Sequence, residues 1–467
     1  MSKTKQTQKS KFFAPAVLAG ILFAAVSAGC SNPAGGNKPS PDTPQSQAEY
    51  KPVNFTDLEK YLKNVQPAAD GIYYIDLTLT DQDLNDKLRK TILKNNINKH
   101  KKIALRLNGV TSIGNWALQG CEQLISVSIP TTVTSIGENA FSYCSKLASV
   151  TISNGVVSIG AAAFQDCKSL TSITLPDSVS SIGERAFSGC SVLTRLTVTT
   201  ANINYRSEQN IIYSKDMKTL VCAAGALTSV DIPNSVRFIG VNAFEKCAAL
   251  KNVTIPVGVT SIGRSAFGNC TALENIVIPS SVKSIGMQAF ERCEGLQHVT
   301  ISAGVMSIGE SAFSACTALK NVTIPVGVTS IGKYAFFGCT ALENVVIPSS
   351  VTSIGERVFQ NCKSLMSVTI PDSVTSIGDT AFSGCTGLEG IFTLPPNLQT
   401  IGRAAFKDSY NIERFDFTAC MKLTQIAPDA FDGCGSVVKY RVTAASGLKQ
   451  KLLGIGIPES QIEETAG

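Results

Sequence analysis

The sequence predicts an α/β solenoid of about 13 coils, recurring with a period of 23 and closed by an atypical cap at either end. Three observations carry that expectation. First, the motif Ile-Gly-x-x-Ala-Phe-x-x-Cys-x-x-Leu-x-x-Val-x-Ile-Pro begins, slightly worn, at Ile113-Gly114, and its Ile-Gly pair returns at 136, 159 and 182. After a gap it runs through 239, 262, 285, 308, 331, 354 and 377 in steps of 23, with looser copies at Ile401-Gly402 and Ile426-Ala427. A fixed period of roughly 20–50 residues marks stacked repeats. Second, the apolar positions of each copy alternate first and then fall three or four apart, as a short strand followed by a helical turn would place them. Third, charged residues make up only 16% of a chain with regular apolar positions, which suits stacked coils rather than a disordered polymer.

Residues 1–29 read as a secretory signal peptide. Lys3, Lys5, Lys9 and Lys11 form its basic region and residues 12–26 its apolar region. That stretch is too short, and too interrupted by Pro15 and Gly20, for a membrane span. Of the formal charge of +6, four positive charges come from this segment, which leaves +2 for the rest and no argument for nucleic acid. Ser27-Ala28-Gly29-Cys30 resembles the lipobox of bacterial lipoproteins, with Ser27 where Leu is usual. The resemblance implies lipidation at Cys30, and Ser31 in place of Asp implies delivery to the outer membrane or cell surface. The alternative is an ordinary signal peptide with Cys30 incidental. Acyl chains contribute about 0.8 kcal/mol per buried methylene, so a lipidated Cys30 is a firm anchor. Residues 30–49 follow as the lipidated Cys and a Pro/Gly/Ser/Gln-rich tether.

Residues 50–104 precede the regular repeats and are expected to cap the open end of the core. Residues 55–65 predict a helix with Thr56 as its N-cap. Residues 73–77 alternate like a strand, and residues 81–95 predict a second helix on Leu84, Leu88 and Ile92. Residues 103–107 are expected to be the first strand of the array, which runs over 105–437. Within a coil, Leu124, Val127 and Ile129 point inward from a strand that Pro130 ends, because proline supplies no donor to a ladder. Val133 and Ile136 form a second apolar pair. The glycine after Ile136 recurs in 12 of the 13 copies, which calls for either a positive φ or a backbone packed too closely for a Cβ. Ala140, Phe141 and Cys144 are expected to ride inward on a short helical turn.

This pattern resembles the leucine-rich repeat, and more narrowly the BspA-like (Treponema-type) repeats of bacterial surface antigens. The resemblance covers residues 105–437. It implies a right-handed leucine-rich-repeat solenoid with a parallel sheet on one face. It also implies adhesion to host matrix proteins, such as fibronectin, or to neighbouring bacteria. The chain departs from ordinary leucine-rich repeats at Thr132, Gly155 and Ser178, where an asparagine ladder would stand. The backbone at that turn must be satisfied in another way.

The step from Ile182 to Ile239 is 57, two periods of 23 and 11 more. Two apolar runs around a polar turn, within about 200–226, predict a hairpin insert, either a wedge that bends the stack or a protruding binding element. After residue 437 the period ends: residues 438–442 read as a last strand, and Leu448, Leu453 and Ile462 as a helical cap, within a terminal segment 438–467.

Catalytic chemistry is not apparent in the sequence. There are two histidines, His100 and His298, no metal-ligand spacing, no phosphate loop and no nucleophile elbow. A hydrolase working through the N-terminal region, with Asp76 or Asp81, is the rival from another class. No cofactor is expected. NVTIPVGVTSIG occurs at 252–263 and again at 321–332, three coils on. Such copying produces surface rather than a unique site. Twelve of the fifteen cysteines form a ladder, namely Cys121, Cys144, Cys167, Cys190, Cys247, Cys270, Cys293, Cys316, Cys339, Cys362, Cys385 and Cys434. They are expected to be reduced packing thiols in preference to disulfides or metal ligands.

The outward positions of the strands give the candidate binding face. They are Ser126, Ser128, Ser149, Thr151, Ser172, Thr174, Asn252, Thr254, Asn275, His298, Thr300, Asn321, Thr323, Asn344, Ser367 and Thr369, with Val277 and Val346 among them. This strip of hydroxyls and amides suits broad, multivalent contact, although Ser and Thr are also simply tolerated on an exposed strand. The functional expectation is a non-catalytic, lipid-anchored surface protein that binds protein ligands and touches the membrane through its lipid alone. The alternative is a periplasm-facing envelope scaffold.

Overall fold

The computed structural model describes residues 48–93 and 100–466. The expected signal peptide, Cys30 and most of the tether lie outside those residues. Residues 49–467 form one compact unit, a β-solenoid of stacked coils with little helix.

Each coil contributes one strand to a broad face and a two-residue strand to a second ladder. The broad face is parallel and falls into three sheets of seven, seven and four strands. In the first sheet, Ser126, Val127 and Ser128 pair with Ser149, Val150 and Thr151. The second ladder is built from the Ser-Ile pairs, such as Ser135–Ile136 against Ser158–Ile159. There are therefore about 18 turns rather than 13. The motif count missed turns that lack Ile-Gly. Lys51–Asn54 and Ile72–Thr78 pair in parallel ahead of Lys102–Asn108, so residues 103–107 are not the first strand of the sheet.

At the N-terminal end, Asp57 rather than Thr56 occupies the cap position of the helix Leu58–Asn64, and it makes no side-chain cap bond. The second helical stretch is capped by Thr80, whose hydroxyl accepts from the Asp83 N–H at 3.1 Å. This stretch covers the open core end with side chains. Asp81 accepts from the N–H and hydroxyl of Thr111 at 2.7 and 2.6 Å, and Asn85 accepts from the Gly114 N–H at 2.7 Å. In later coils a backbone carbonyl does that work, as when Ile113 accepts from Gly137 at 2.7 Å. At the other end, Lys439–Thr443 is followed by the helix Leu448–Gly454, and Ile462 opens a final strand, Ile462–Thr465, rather than extending the helix.

The segment carrying Ala140, Phe141 and Cys144 is a chain of tight turns and not a helix. Asn139 and Tyr143 have positive φ, 53° and 60°, and the same two positions repeat that geometry along the stack. Alternate N–H groups then serve two directions. Ala140, Ser142 and Cys144 donate three residues back, while Asn139, Phe141 and Tyr143 donate to Ala161, Ala163 and Gln165 in the next coil at 2.7–2.9 Å. A helix would have spent all of these donors within the coil. The recurrent Gly is explained by packing, since its φ is not positive: a Cβ on Gly137 would lie 2.6 Å from the Gly114 carbonyl carbon.

The cysteine ladder consists of free thiols, as Cys222 and Cys420 also are, fourteen in all among the described residues. It also hydrogen-bonds. Cys293 donates to the Phe267 carbonyl at 3.1 Å and Cys316 to that of Phe290 at 3.2 Å, one coil back in each case. Burial pushes the thiols of Cys293, Cys339 and Cys385 up to about 12. The missing asparagine ladder is replaced by hydroxyls: Thr132 and Ser178 donate to the Val110 and Val156 carbonyls at 2.6 and 2.7 Å.

The insert is a three-stranded antiparallel meander, Tyr205–Glu208, Ile211–Ser214 and Thr219–Ala223, one strand more than the predicted hairpin. Its last strand joins the Ser-Ile ladder at Phe238–Ile239. Ile211, Ile212, Tyr213 and Leu220 are buried, so it wedges into the stack rather than protruding. The core divides here into two clusters. The phenylalanine stack divides too. Phe141, Phe164 and Phe187 form one run, and a second starts at Phe244–Phe267 with ring centroids 5.0 Å apart.

Candidate binding face

Strand alternation fixes the face. In Asn275–Ile278 and His298–Ile301 the second and fourth residues are buried and the first and third exposed. Parallel register then sets equivalent residues side by side: Asn275, His298, Asn321, Asn344 and Ser367 form one row, and Thr300, Thr323, Val346 and Thr369 form most of a second. Asn252 and Thr254 extend these rows. Of the sixteen sequence-selected residues, fourteen are exposed, and Ser126 and Ser128 are partly covered.

The sixteen are divided between two sheets. Ser126, Ser128, Ser149, Thr151, Ser172 and Thr174 lie in the first seven-stranded sheet, and the ten from Asn252 to Thr369 in the second. The second face, seven strands wide, spans on the order of 30 Å. Its side chains bond along the ladder, as when the Asn344 amide donates to Asn321 Oδ1 at 3.4 Å. On the first sheet, Ser149, Thr151, Ser172 and Thr174 line a shallow groove of about 350 Å³, floored by Val150 and Ile173.

Sequence reasoning missed several residues in these rows. Arg195 and Thr197 continue the first sheet beside Ser172 and Thr174, and Ser229 and Asp231 begin the second beside Asn252 and Thr254. The signal was present, because Leu193, Leu196 and Val198 keep the inward spacing. The N-terminal end carries an aromatic and cationic cluster: Tyr50 packs edge-on to Tyr74 at 5.2 Å, and the Arg106 guanidinium sits 3.9 Å above the Tyr50 ring. Arg106 is exposed, and exposed contacts of this kind are worth about 0.5–1 kcal/mol. The C-terminal end is charged, with Glu463 between Arg414 at 3.1 Å and Arg441 at 3.7 Å.

His298 is a solvent-facing member of its row, flanked by Asn275 and Asn321. Asp76 accepts from the Asn108 amide. Asp81 is committed to capping: burial raises its pKa, but the hydrogen bonds from Thr111 and Ser112 outweigh that and hold it below the usual carboxylate value. Among the described residues, no three His, Cys, Asp or Glu side chains converge as a metal site, and no helix is long and apolar enough to cross a membrane.

The family described as a BspA type leucine-rich repeat region (six copies) matches the chain over residues 88–218, 217–326 and 306–438. Among solved structures, the chain is similar to a leucine-rich repeat protein from Eubacterium ventriosum, with a TM-score of 0.54 and 28% identity over 60% of this chain and 82% of that one. It is also similar to a leucine-rich repeat protein from Bacteroides ovatus, with a TM-score of 0.51 and 29% identity over 77% of this chain and 88% of that one. No curated protein sequence matches it.

Proposed function

Because the chain belongs to the BspA-type leucine-rich repeat family, whose solenoid is typically a protein-interaction scaffold rather than a catalyst, we propose that it is a surface lipoprotein adhesin. Cys30 anchors it, the tether lifts it from the membrane, and the sheet face binds protein ligands, host matrix proteins or proteins of other bacteria. The observation that carries this reading is the exposed double row from Asn252 to Thr369. It is repeated and largely polar, interrupted by the exposed Val277 and Val346, and it is held in register by parallel pairing. A repeated face gives many equal contacts of modest strength, and their effect multiplies when the ligand is itself repetitive. The aromatic and arginine cluster at Tyr50, Tyr74 and Arg106 adds the residue types that anchor interfaces.

The location is tested by treating intact cells with proteinase K and blotting for the solenoid beside a periplasmic control. Loss of the solenoid while the control survives is the expected result. Protection until the outer membrane is permeabilised would replace the adhesin with a periplasm-facing envelope scaffold.

A further inference from the structure

The insert leaves one coil four residues short. Leu220 pairs with Ile239, and Ser229 with Asn252, which aligns Leu227 with Leu250. From Ile239 to Leu250 is eleven positions, but from Leu220 to Leu227 only seven. The shortfall falls on the turn edge, so the turns of the coils at 182–190 and 239–247 face each other across a gap. Ser188 Oγ donates to the Glu245 carbonyl at 3.2 Å, and Arg185 pairs with the Glu245 carboxylate at 2.8 Å, closing one end.

The walls of the gap carry backbone groups that a full coil would satisfy. Asn139 and Phe141 donate to the next coil, but their equivalents, the N–H groups of Arg185 and Phe187, find no acceptor among the described residues. On the facing wall the Val241 carbonyl, equivalent to that of Ala161, receives no described N–H. The side chain of Asn242 is 5% exposed, and neither its Oδ1 nor its Nδ2 has a partner. All four residues line one cavity of about 190 Å³.

We propose that this slot binds a short peptide segment of a protein ligand through the peptide's main chain. A peptide presents the carbonyls that Arg185 and Phe187 lack and the N–H that Val241 lacks. The absent turn removes one coil spacing of roughly 4.8 Å, so beyond the Ser188–Glu245 contact and above Val221–Ala223 the slot admits one backbone. The Asn242 amide supplies a donor and an acceptor, which matches one further peptide unit. A charged small molecule fits less well, because the buried carboxylate of Glu245 is already paired with Arg185. The site lies on the turn edge and does not depend on the sheet face being a binding surface.

The test uses the full chain and a fluorescent, blocked tetrapeptide, acetyl-Arg-Ser-Ala-Phe-amide, the segment that residues 264–267 place at this edge of a complete coil. The expected result is saturable binding by anisotropy, weakened at least tenfold by Asn242→Leu and unchanged by Thr300→Arg on the sheet. Hydrogen exchange on the wild type provides a readout that needs no variant: peptide should protect 182–188 and 240–245. No saturable binding, or equal binding by Asn242→Leu with no protection, would make the slot a hydrated seam and overturn the proposal. Loss through Thr300→Arg instead would assign the peptide to the sheet and also overturn it.

Discussion

Ser409 donates its hydroxyl to the Phe382 carbonyl at 2.9 Å, in the place where Cys385 of the preceding coil donates its thiol to Phe359 at 3.1 Å. The one coil of the run that exchanges its cysteine for serine keeps the bond. What this position requires is therefore a small buried donor, with sulfur as its usual form. Replacing Cys316 by Ser should preserve the bond to Phe290. Replacement by Val removes one of two bonds to that carbonyl, which keeps the Cys293 N–H at 3.2 Å, and should cost about 0.5–1.5 kcal/mol, read as a lower urea midpoint than that of Cys316→Ser.

The same thiols set a pH limit. Burial raises Cys293, Cys339 and Cys385 to about 12 from an ordinary 9.0. The folded pKa exceeds the unfolded one, so their contribution is complete below about pH 9 and is lost as pH rises toward 12. Thermal melts should be flat in this respect up to pH 8.5 and fall above 9. In the native protein at pH 8 the ladder thiols should resist a disulfide reagent that titrates all of them after denaturation.

Two glycines at the same coil position should respond oppositely to a methyl group. A Cβ on Gly286 would lie 2.7 Å from the Gly263 carbonyl carbon, whereas one on Gly355 finds nothing nearer than Val358 Cγ2 at 3.6 Å. Val358 stands where most coils carry Ala, and the Ser-Ile ladder breaks between Ile331 and Ser353 beside it. Gly286→Ala should destabilise by about 1–3 kcal/mol, and Gly355→Ala by less than about 0.5 kcal/mol.

Asn202 holds the insert to the stack. It is fully buried, donates to the Pro176 and Val179 carbonyls at 3.0 and 2.8 Å, and accepts from the N–H groups of Asn204 and Tyr205 at 2.8 and 2.9 Å. Asn202→Ala takes this partner from the Val179 carbonyl and from the Asn204 and Tyr205 N–H groups, while the Pro176 carbonyl keeps the Val179 N–H at 3.2 Å, and should cost at least about 2 kcal/mol. Hydrogen exchange should accelerate over 205–223 first, with the coils beyond Phe267 protected as before, because repeats couple mainly to their neighbours.

The array was legible in the sequence because period 23 and the inward set of Leu, Val, Ile, Ala, Phe and Cys report the same stacked geometry at every coil. The outward face followed from strand alternation. The terminal turns were not legible as turns: Ile72–Thr78 carries only alternation, and its place in the sheet is fixed by pairing with Lys102–Asn108. The positive-φ positions were hidden because Asn139, Tyr143, Ala162 and Arg185 share a backbone need and no side-chain type. The seam cavity depends on four missing residues, and only the register of Leu220 against Ile239 exposes them.

The double row on the second sheet is proposed to bind protein. This is tested most directly by measuring binding of the chain from residue 30 onward to a panel of immobilised matrix proteins, fibronectin included. Wild type is compared with a Thr300→Arg, Thr323→Arg double variant of unchanged melting temperature. The expected result is saturable binding by wild type and at least a tenfold loss in the variant. Binding that the two arginines leave untouched, or no binding above background to any matrix protein, would contradict it.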